Sequence, residues 1–128
     1  RVPTGMSDYA DRIETLADRA ARDRERFQRP ADPPDEDRAM EYLREGVGPA
    51  VAVYVDARTG EWHRFEAEAF ESLESTMNTY LELYAACYGT DIDASFAVTE
   101  AAELLVDAHN IRDVATMLTH VPDRHDGQ

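Results

Sequence analysis

The most constraining feature of the sequence is an apolar stripe within residues 68–89. Its members lie three or four residues apart, and they are Phe70, Leu73, Met77, Leu81, Tyr84 and Tyr88. This period is typical of an α-helix that is buried along one side. Gly89 follows the stripe, and glycine commonly ends a helix in the left-handed conformation. We therefore expect a helix from about Glu68 to Tyr88, the clearest helix of the chain.

The N-terminal region predicts a charged helix followed by a stiff connector. Apolar residues at steps of three, four or seven continue the helical pattern as far as Phe27. Three prolines within residues 30–35 then break the helix. We assign residues 1–29 to the charged helix. Residues 1–5 receive no structural weight because they precede Met6, either as a remnant of expression or because the native start lies upstream.

The middle of the chain predicts a β-hairpin. Three valines alternate with alanine and tyrosine in residues 50–55, as in a strand that is buried on both faces. Residues 56–60 have turn composition, and residues 61–67 would pair back as a second strand through Trp62 and Phe65. A two-stranded hairpin is marginal alone, so it must pack on helices. Its unpaired edges predict a homodimer.

Three further helices complete the predicted order. A short helix over residues 36–45 ends at two glycines, and two helices capped by Thr99 and Asn110 follow the long helix. The order is α-α-β-β-α-α-α, an α+β fold in which one β-hairpin packs on a helical bundle. The α+β core covers residues 36–122, and residues 123–128 form a flexible tail.

The charge of the chain is unusual. It carries 27 Asp and Glu against 13 Arg and no Lys, so its formal net charge is -14. In ordinary cytosol, this excess would repel itself and suggest a basic partner. In molar salt the Debye length falls to about 3 Å, and the repulsion largely disappears. We therefore expect a halophilic, archaeal source, although a GC-rich genome also favours Arg over Lys.

The single cysteine and the hydropathy pattern bear on location. Because Cys87 is the single cysteine, the chain cannot form an intramolecular disulfide, which fits a reducing cytosol. Cys87 falls in the last turn of the long helix, where we expect it to be a core residue. No apolar run approaches the roughly 18 residues of a membrane helix. The N-terminus has no apolar signal region. We expect a cytoplasmic protein that does not contact the membrane.

Two segments resemble a known group of sequences. They are residues 77–89 (MNTYLELYAACYG) and residues 99–115 (TEAAELLVDAHNIRDVA). Both resemble small acidic haloarchaeal proteins of unknown function. The resemblance implies a haloarchaeal source. It implies no site residue, because that family has no assigned activity.

A basic stripe on the first helix is the candidate binding surface. Its members are Arg12, Arg19, Arg22, Arg26 and Arg29. Residues 1–29 carry seven Arg and six acids, whereas the remaining residues carry six Arg and 21 acids. This asymmetry predicts a surface for a protein partner, which we favour, or for nucleic acid. The alternative is an exposed helix whose own acids pair with its arginines.

Two other polar groups are candidates for cation binding. The first shares one face of the long helix and consists of Glu71, Glu74, Asn78 and Glu82. Such a face can bind a hard cation or supply an acid and a base, or it can simply be solvated. The second lies at a helix junction and consists of Asp107, His109 and Asp113. It would hold a metal only if the fold supplied another ligand.

No catalytic or cofactor motif occurs, so we predict no cofactor and lean against an enzyme. The leading hypothesis is a small interaction, adaptor or regulatory protein that self-associates or docks a larger protein. A second hypothesis is a nucleic-acid-associated protein that uses the Arg-bearing first helix. A third is a cation-binding protein or small enzyme that uses the helix carboxylates.

Overall fold

A computed structural model describes residues 5–32, 34–59 and 67–121. Within these residues the regular structure is helical throughout. The helices are α1 (Gly5–Arg26), α2 (Glu36–Tyr42), α3 (Gly48–Thr59), α4 (Ala67–Cys87), α5 (Val98–Ala108) and α6 (Ile111–Thr119). A π-helical turn, Leu43–Val47, joins α2 directly to α3. No described helix combines the length and apolar character that a membrane crossing requires.

Helix α4 lies at the centre of the fold. It contacts all five other helices and the π-helical turn. The predicted stripe is confirmed, since Leu73, Met77, Leu81 and Tyr84 are fully buried. Tyr80, outside the stripe, is fully buried as well, so α4 is covered on more than one side. The core of the described residues is therefore built around this helix.

Gly89 ends α4 as the sequence predicts. Its φ is 80°, and its N–H donates to the Ala86 carbonyl at 2.9 Å. The N–H of Thr90 donates to the Ala85 carbonyl at 3.0 Å. These two bonds form the Schellman motif, which satisfies carbonyls that a helix end leaves open. Positive φ is the reason that glycine stands at this position.

The predicted β-hairpin and the α+β fold class are wrong, because residues 50–55 lie in helix α3. A short apolar run fits a buried helix as well as a buried strand. The buried residues of α3 are Ala50, Val51, Val53 and Tyr54. Burying one large side chain contributes about 1.5–3 kcal/mol, which exceeds the ~0.7 kcal/mol helix penalty of valine. Residues 61–66 of the second predicted strand lie outside the described residues.

The predicted helix end at Gly46 and Gly48 is also wrong. Gly48 has a right-handed helical φ of -58°, and the chain passes through it into α3. Gly46 lies against the ring of Tyr80, where an added Cβ would come within 2.3 Å of the Tyr80 Cγ atom. The glycine therefore permits the π-helical turn to pack closely on α4, and it does not end a helix.

Helix α1 packs on the core through the stripe that the sequence predicts. Ile13, Leu16 and Ala20 are buried, and Phe27 packs partly buried against the core. The side chain of Tyr9 lies outside the described residues. The outer face of α1 is thereby fixed relative to the rest of the fold.

The connector after α1 is tied to the end of α4. The N–H of Asp35 donates to the Cys87 carbonyl at 2.8 Å. The Asp35 carboxylate accepts from the Arg38 N–H at 3.2 Å, which caps α2. Arg38 also donates to the Gln28 carbonyl at 3.0 Å, and its guanidinium carbon lies 5.4 Å from the centroid of the Phe27 ring. These contacts hold the C-terminal end of α1 beside the start of α2.

Candidate docking surface

Most arginines of the predicted basic stripe bind carboxylates on other parts of the chain. Arg12 pairs with Asp56 of α3 at 3.2 Å. Arg19 reaches the Glu45 carboxylate at 3.4 Å and the Glu45 carbonyl at 3.1 Å. Arg29 pairs with Asp91. The first two pairs join α1 to α3 and to the π-helical turn, and the third joins the connector after α1 to the segment after α4.

Arg24, which the predicted stripe omits, makes a similar contact. Its guanidinium donates to the Glu82 carboxylate of α4 at 2.8 Å. Its side chain is 58% exposed, and exposed pairs stabilise a fold by about 0–1 kcal/mol each. The ion pairs therefore orient α1, while the apolar face of α1 supplies most of its binding energy to the core.

Arg22 and Arg26 differ from the other four arginines in residues 12–29. Both are exposed, and neither lies within ion-pairing distance of an Asp or Glu among the described residues. The local Asp18–Arg22 pair that the spacing favours does not form. The two arginines are one helical turn apart, so their side chains project from the same side of α1. We call Arg22 and Arg26 the α1 ridge.

A partly buried hydrogen bond ties the helix that carries the α1 ridge to α4. The hydroxyl of Tyr80 donates to the Asp23 carboxylate at 2.6 Å. Burial raises the pKa of Tyr80, and the hydrogen bond to Asp23 raises it further. The hydroxyl therefore remains a donor across the neutral range. Because Tyr80 also packs on Gly46, one side chain of α4 contacts both α1 and the π-helical turn.

The polar face of α4 binds backbone atoms of an extended segment, residues 91–97, which we call the strap. The Glu82 carboxylate accepts from the Ala94 N–H at 3.0 Å. The Asn78 side-chain oxygen accepts from the Phe96 N–H at 2.9 Å, and its amide donates to the Phe96 carbonyl at 3.0 Å. The Asn78 amide thus pairs with Phe96 as a neighbouring strand would.

Glu74 continues this pattern into helix α5. Its carboxylate accepts from the Val98 N–H at 3.0 Å. The predicted N-cap at Thr99 is wrong, because Ala97 occupies the cap position and has no capping side chain. Glu74 therefore satisfies, from α4, one of the N–H groups that the start of a helix leaves without a partner.

The match between α4 and the strap has a simple geometric cause. Positions 74, 78 and 82 are four residues apart, a rise of about 6 Å along a helix. Alternate residues of an extended chain are about 6.6 Å apart. Burial along the strap alternates accordingly, with Ala94 and Phe96 half-buried and their neighbours Asp93 and Ser95 exposed.

Three of the four residues predicted as a cation face thus have a structural role, and only Glu71 stays exposed without a hydrogen bond in the described chain.

The helix junction predicted as a metal site is organised by hydrogen bonds. Asn110 caps α6 as predicted, since its side-chain oxygen accepts from the Asp113 N–H at 2.9 Å. Its amide donates to the Asp113 carboxylate at 3.1 Å. His109 ends α5 in the left-handed conformation with a φ of 66°. Together with Asp107, these residues do not form a set of three metal-binding side chains, and no such set occurs in the described chain.

Cys87 lies in the core, as predicted. It is fully buried, and burial raises the pKa of its thiol to about 11. At neutral pH the side chain is therefore a thiol, whereas nucleophilic chemistry requires the thiolate. The geometry assigns Cys87 to packing.

Exposed apolar surface is scattered in the described residues. Val106 of α5 is 70% exposed and Met117 of α6 is 46% exposed. A cleft of about 470 Å³ between α1 and α3 is lined in part by Leu16, Ala52 and Val53. Obligate dimers bury much larger continuous apolar areas.

These observations define a small protein whose described regular structure is all helical, with an arginine ridge on a firmly packed helix. The chain belongs to the family described as a domain of unknown function (DUF8055), whose model matches residues 7–123. This match confirms the predicted resemblance to a family of unknown function. No curated protein and no solved structure matches the chain.

Sequence reasoning missed the nonlocal partners of α1 and the role of the strap. The signal for the strap was present: Ile92, Ala94 and Phe96 alternate with polar residues opposite a polar helix face with a spacing of four. No comparable signal exists for the pairs Arg12–Asp56 and Arg29–Asp91, whose members are far apart in the sequence.

Proposed function

We propose that this protein is a small interaction module that docks on an acidic surface of a larger protein through the α1 ridge. The observation that supports this is the state of Arg22 and Arg26. In a chain of net charge -14, they are exposed and have no carboxylate partner among the described residues. Arginine forms bidentate hydrogen bonds with carboxylates, which gives such a contact geometric specificity.

A protein partner suits the α1 ridge better than nucleic acid does. Proteins that bind duplex DNA commonly neutralise about 6–10 phosphates. Arg12, Arg19 and Arg29 already bind carboxylates of this chain, which leaves two arginines of the predicted stripe. Two arginines can still bind one or two carboxylates at a protein surface.

The setting that we propose is a salty cytoplasm of haloarchaeal type. The support is the acidic, Lys-free composition, whose self-repulsion molar salt would screen. Self-association has less support than it had from sequence. The homodimer prediction relied on exposed strand edges, and residues 50–55 are helical.

The proposal is tested with labelled poly-glutamate as the probe, by fluorescence anisotropy at several KCl concentrations. The test variant is Arg22→Glu with Arg26→Glu. The control variant is Arg44→Glu with Arg112→Glu, because these arginines are also exposed and make no ion pair in the described chain. Each variant changes the formal charge by the same amount.

We expect the test variant to weaken binding at least tenfold and the control variant to weaken it less than twofold. Equal weakening would show a net-charge effect and contradict the proposal. Tighter binding of duplex DNA, lost with the same test variant, would favour the nucleic-acid hypothesis instead. Light scattering of the same samples would reveal binding between two copies, which would also contradict a docking role toward a larger protein.

A further inference from the structure

The strap has one edge bound to α4 and one edge without a protein partner. Adjacent residues of an extended chain direct their backbone N–H and C=O groups to opposite edges. The N–H groups of Ala94 and Phe96 point to α4. Those of Asp93 and Ser95 make no hydrogen bond within the described chain, and both residues are exposed. We call this second side the outer edge of the strap.

We propose that the outer edge of the strap binds an extended, basic segment of a partner protein, which adds to it as a second strand. Addition of a strand to an exposed edge is a common mode of peptide recognition. The main-chain groups of the edge supply the hydrogen bonds, and the side chains next to it supply the specificity.

The charge around the strap determines the chemistry of the segment. Residues 89–108 contain no Arg, Lys or His, and their acidic members are Asp91, Asp93, Glu100, Glu103 and Asp107. Two arginines from other segments, Arg24 and Arg29, lie beside the strap, and they pair with Glu82 and Asp91 respectively. Asp91 is paired with Arg29, whereas Asp93 makes no ion pair in the described chain. An incoming strand with Arg or Lys at alternate positions would place cations beside these carboxylates.

The hydrogen bonds to α4 make the strap a better receptor than a free loop. A flexible segment loses conformational entropy when it orders on binding. Glu82 and Asn78 already hold the backbone of the strap in its extended form. The outer edge offers the main-chain groups of Asp93 and Ser95, which limits the site to a few hydrogen bonds. We therefore expect a dissociation constant on the order of 0.1 mM for the bound segment.

The probe is a short peptide with the sequence Arg-Val-Arg-Val-Arg, blocked at both ends and titrated into the full chain while amide chemical shifts are followed. The first test variant is Ser95→Pro, which removes one N–H of the outer edge. Ser95 is exposed and its N–H makes no hydrogen bond in the described chain, so the change removes no bond that holds the fold. The control is Ser95→Ala, which keeps the backbone N–H.

A second arm leaves the protein unchanged. A modified form of the peptide carries N-methyl groups on the backbone nitrogens of one edge. The methyl groups leave the charge of the peptide unchanged and remove its hydrogen-bond donors on that edge. We expect shift changes centred on residues 91–97, at least tenfold weaker binding for Ser95→Pro or for the methylated peptide, and no change for Ser95→Ala.

Equal binding of the methylated peptide to the wild-type chain would overturn the inference, even if Ser95→Pro lowered stability. Shift changes centred elsewhere would overturn it as well. The inference is independent of the α1 ridge, since Arg22→Glu with Arg26→Glu should leave the binding of this peptide intact.

Discussion

Asparagine at position 78 is the residue that most directly tests how α4 holds the strap. Its side chain accepts from the Phe96 N–H and donates to the Phe96 and Glu74 carbonyls, at 2.9, 3.0 and 2.9 Å respectively. Asn78→Asp keeps the size of the side chain and its acceptor. It replaces a donor, which faces two carbonyl oxygens, with an oxygen that repels them.

The cost of Asn78→Asp follows from these contacts. Two lost hydrogen bonds account for about 1–3 kcal/mol. The new negative charge at position 78 is repelled by Glu74 and Glu82, one turn away on either side, and each repulsion adds about 0.2–0.5 kcal/mol to the cost. The remaining bond from Phe96 gains about 1 kcal/mol because its acceptor becomes charged. We expect a net loss of about 0.5–3 kcal/mol, and a fall in melting temperature of about 3–5 °C per kcal/mol.

Urea unfolding followed by far-ultraviolet circular dichroism measures this loss, in high and low KCl. Ser75→Asp is the matched control, because Ser75 is exposed on α4, makes no hydrogen bond in the described chain, and receives the same added charge. We expect the control to stay within about 0.5 kcal/mol of the wild type. If the two variants lose the same stability, the strap is not held by Asn78 and our reading of this face is wrong.

Three further changes test other parts of the fold. Gly46→Ala should lower the free energy of unfolding in urea by about 1–3 kcal/mol, because the added Cβ would lie 2.3 Å from the Tyr80 ring. A variant as stable as the wild type would refute the close packing. His109→Gly should leave the stability of the protein unchanged or raise it by up to about 1 kcal/mol, because glycine adopts a φ of 66° without strain. A clear fall in melting temperature would contradict this. Burial raises the pKa of the Cys87 thiol to about 11, so iodoacetamide should alkylate it slowly in the folded protein. At neutral pH we expect a rate less than about a tenth of that in the urea-unfolded protein, and equal rates would refute the burial of Cys87.

Local signals in the sequence predicted the local structure well. The stripe of α4, the end at Gly89 and the cap at Asn110 each depend on residues within a few positions of one another, and all three are confirmed. Helix α3 was missed for the opposite reason. The valines of residues 50–55 favour a strand locally, and only their burial against other helices makes the helix favourable.

The candidate surface was predictable only in part. The sequence located the arginines of α1, but which of them bind carboxylates depends on the packing of distant segments. Arg19 is bound because Gly46 allows the adjacent π-helical turn to approach α4, which places Glu45 within reach. The distinction between Arg19 and the α1 ridge therefore required the fold.

The most direct test of the docking account is the ratio of two dissociation constants for poly-glutamate. The first is that of Arg22→Glu with Arg26→Glu, and the second is that of Arg44→Glu with Arg112→Glu, measured in the same KCl concentration. A ratio of about 5 or more, equivalent to about 1 kcal/mol or more, is the result that the account predicts. A ratio near 1 would show that the α1 ridge has no special role, and it would contradict the account.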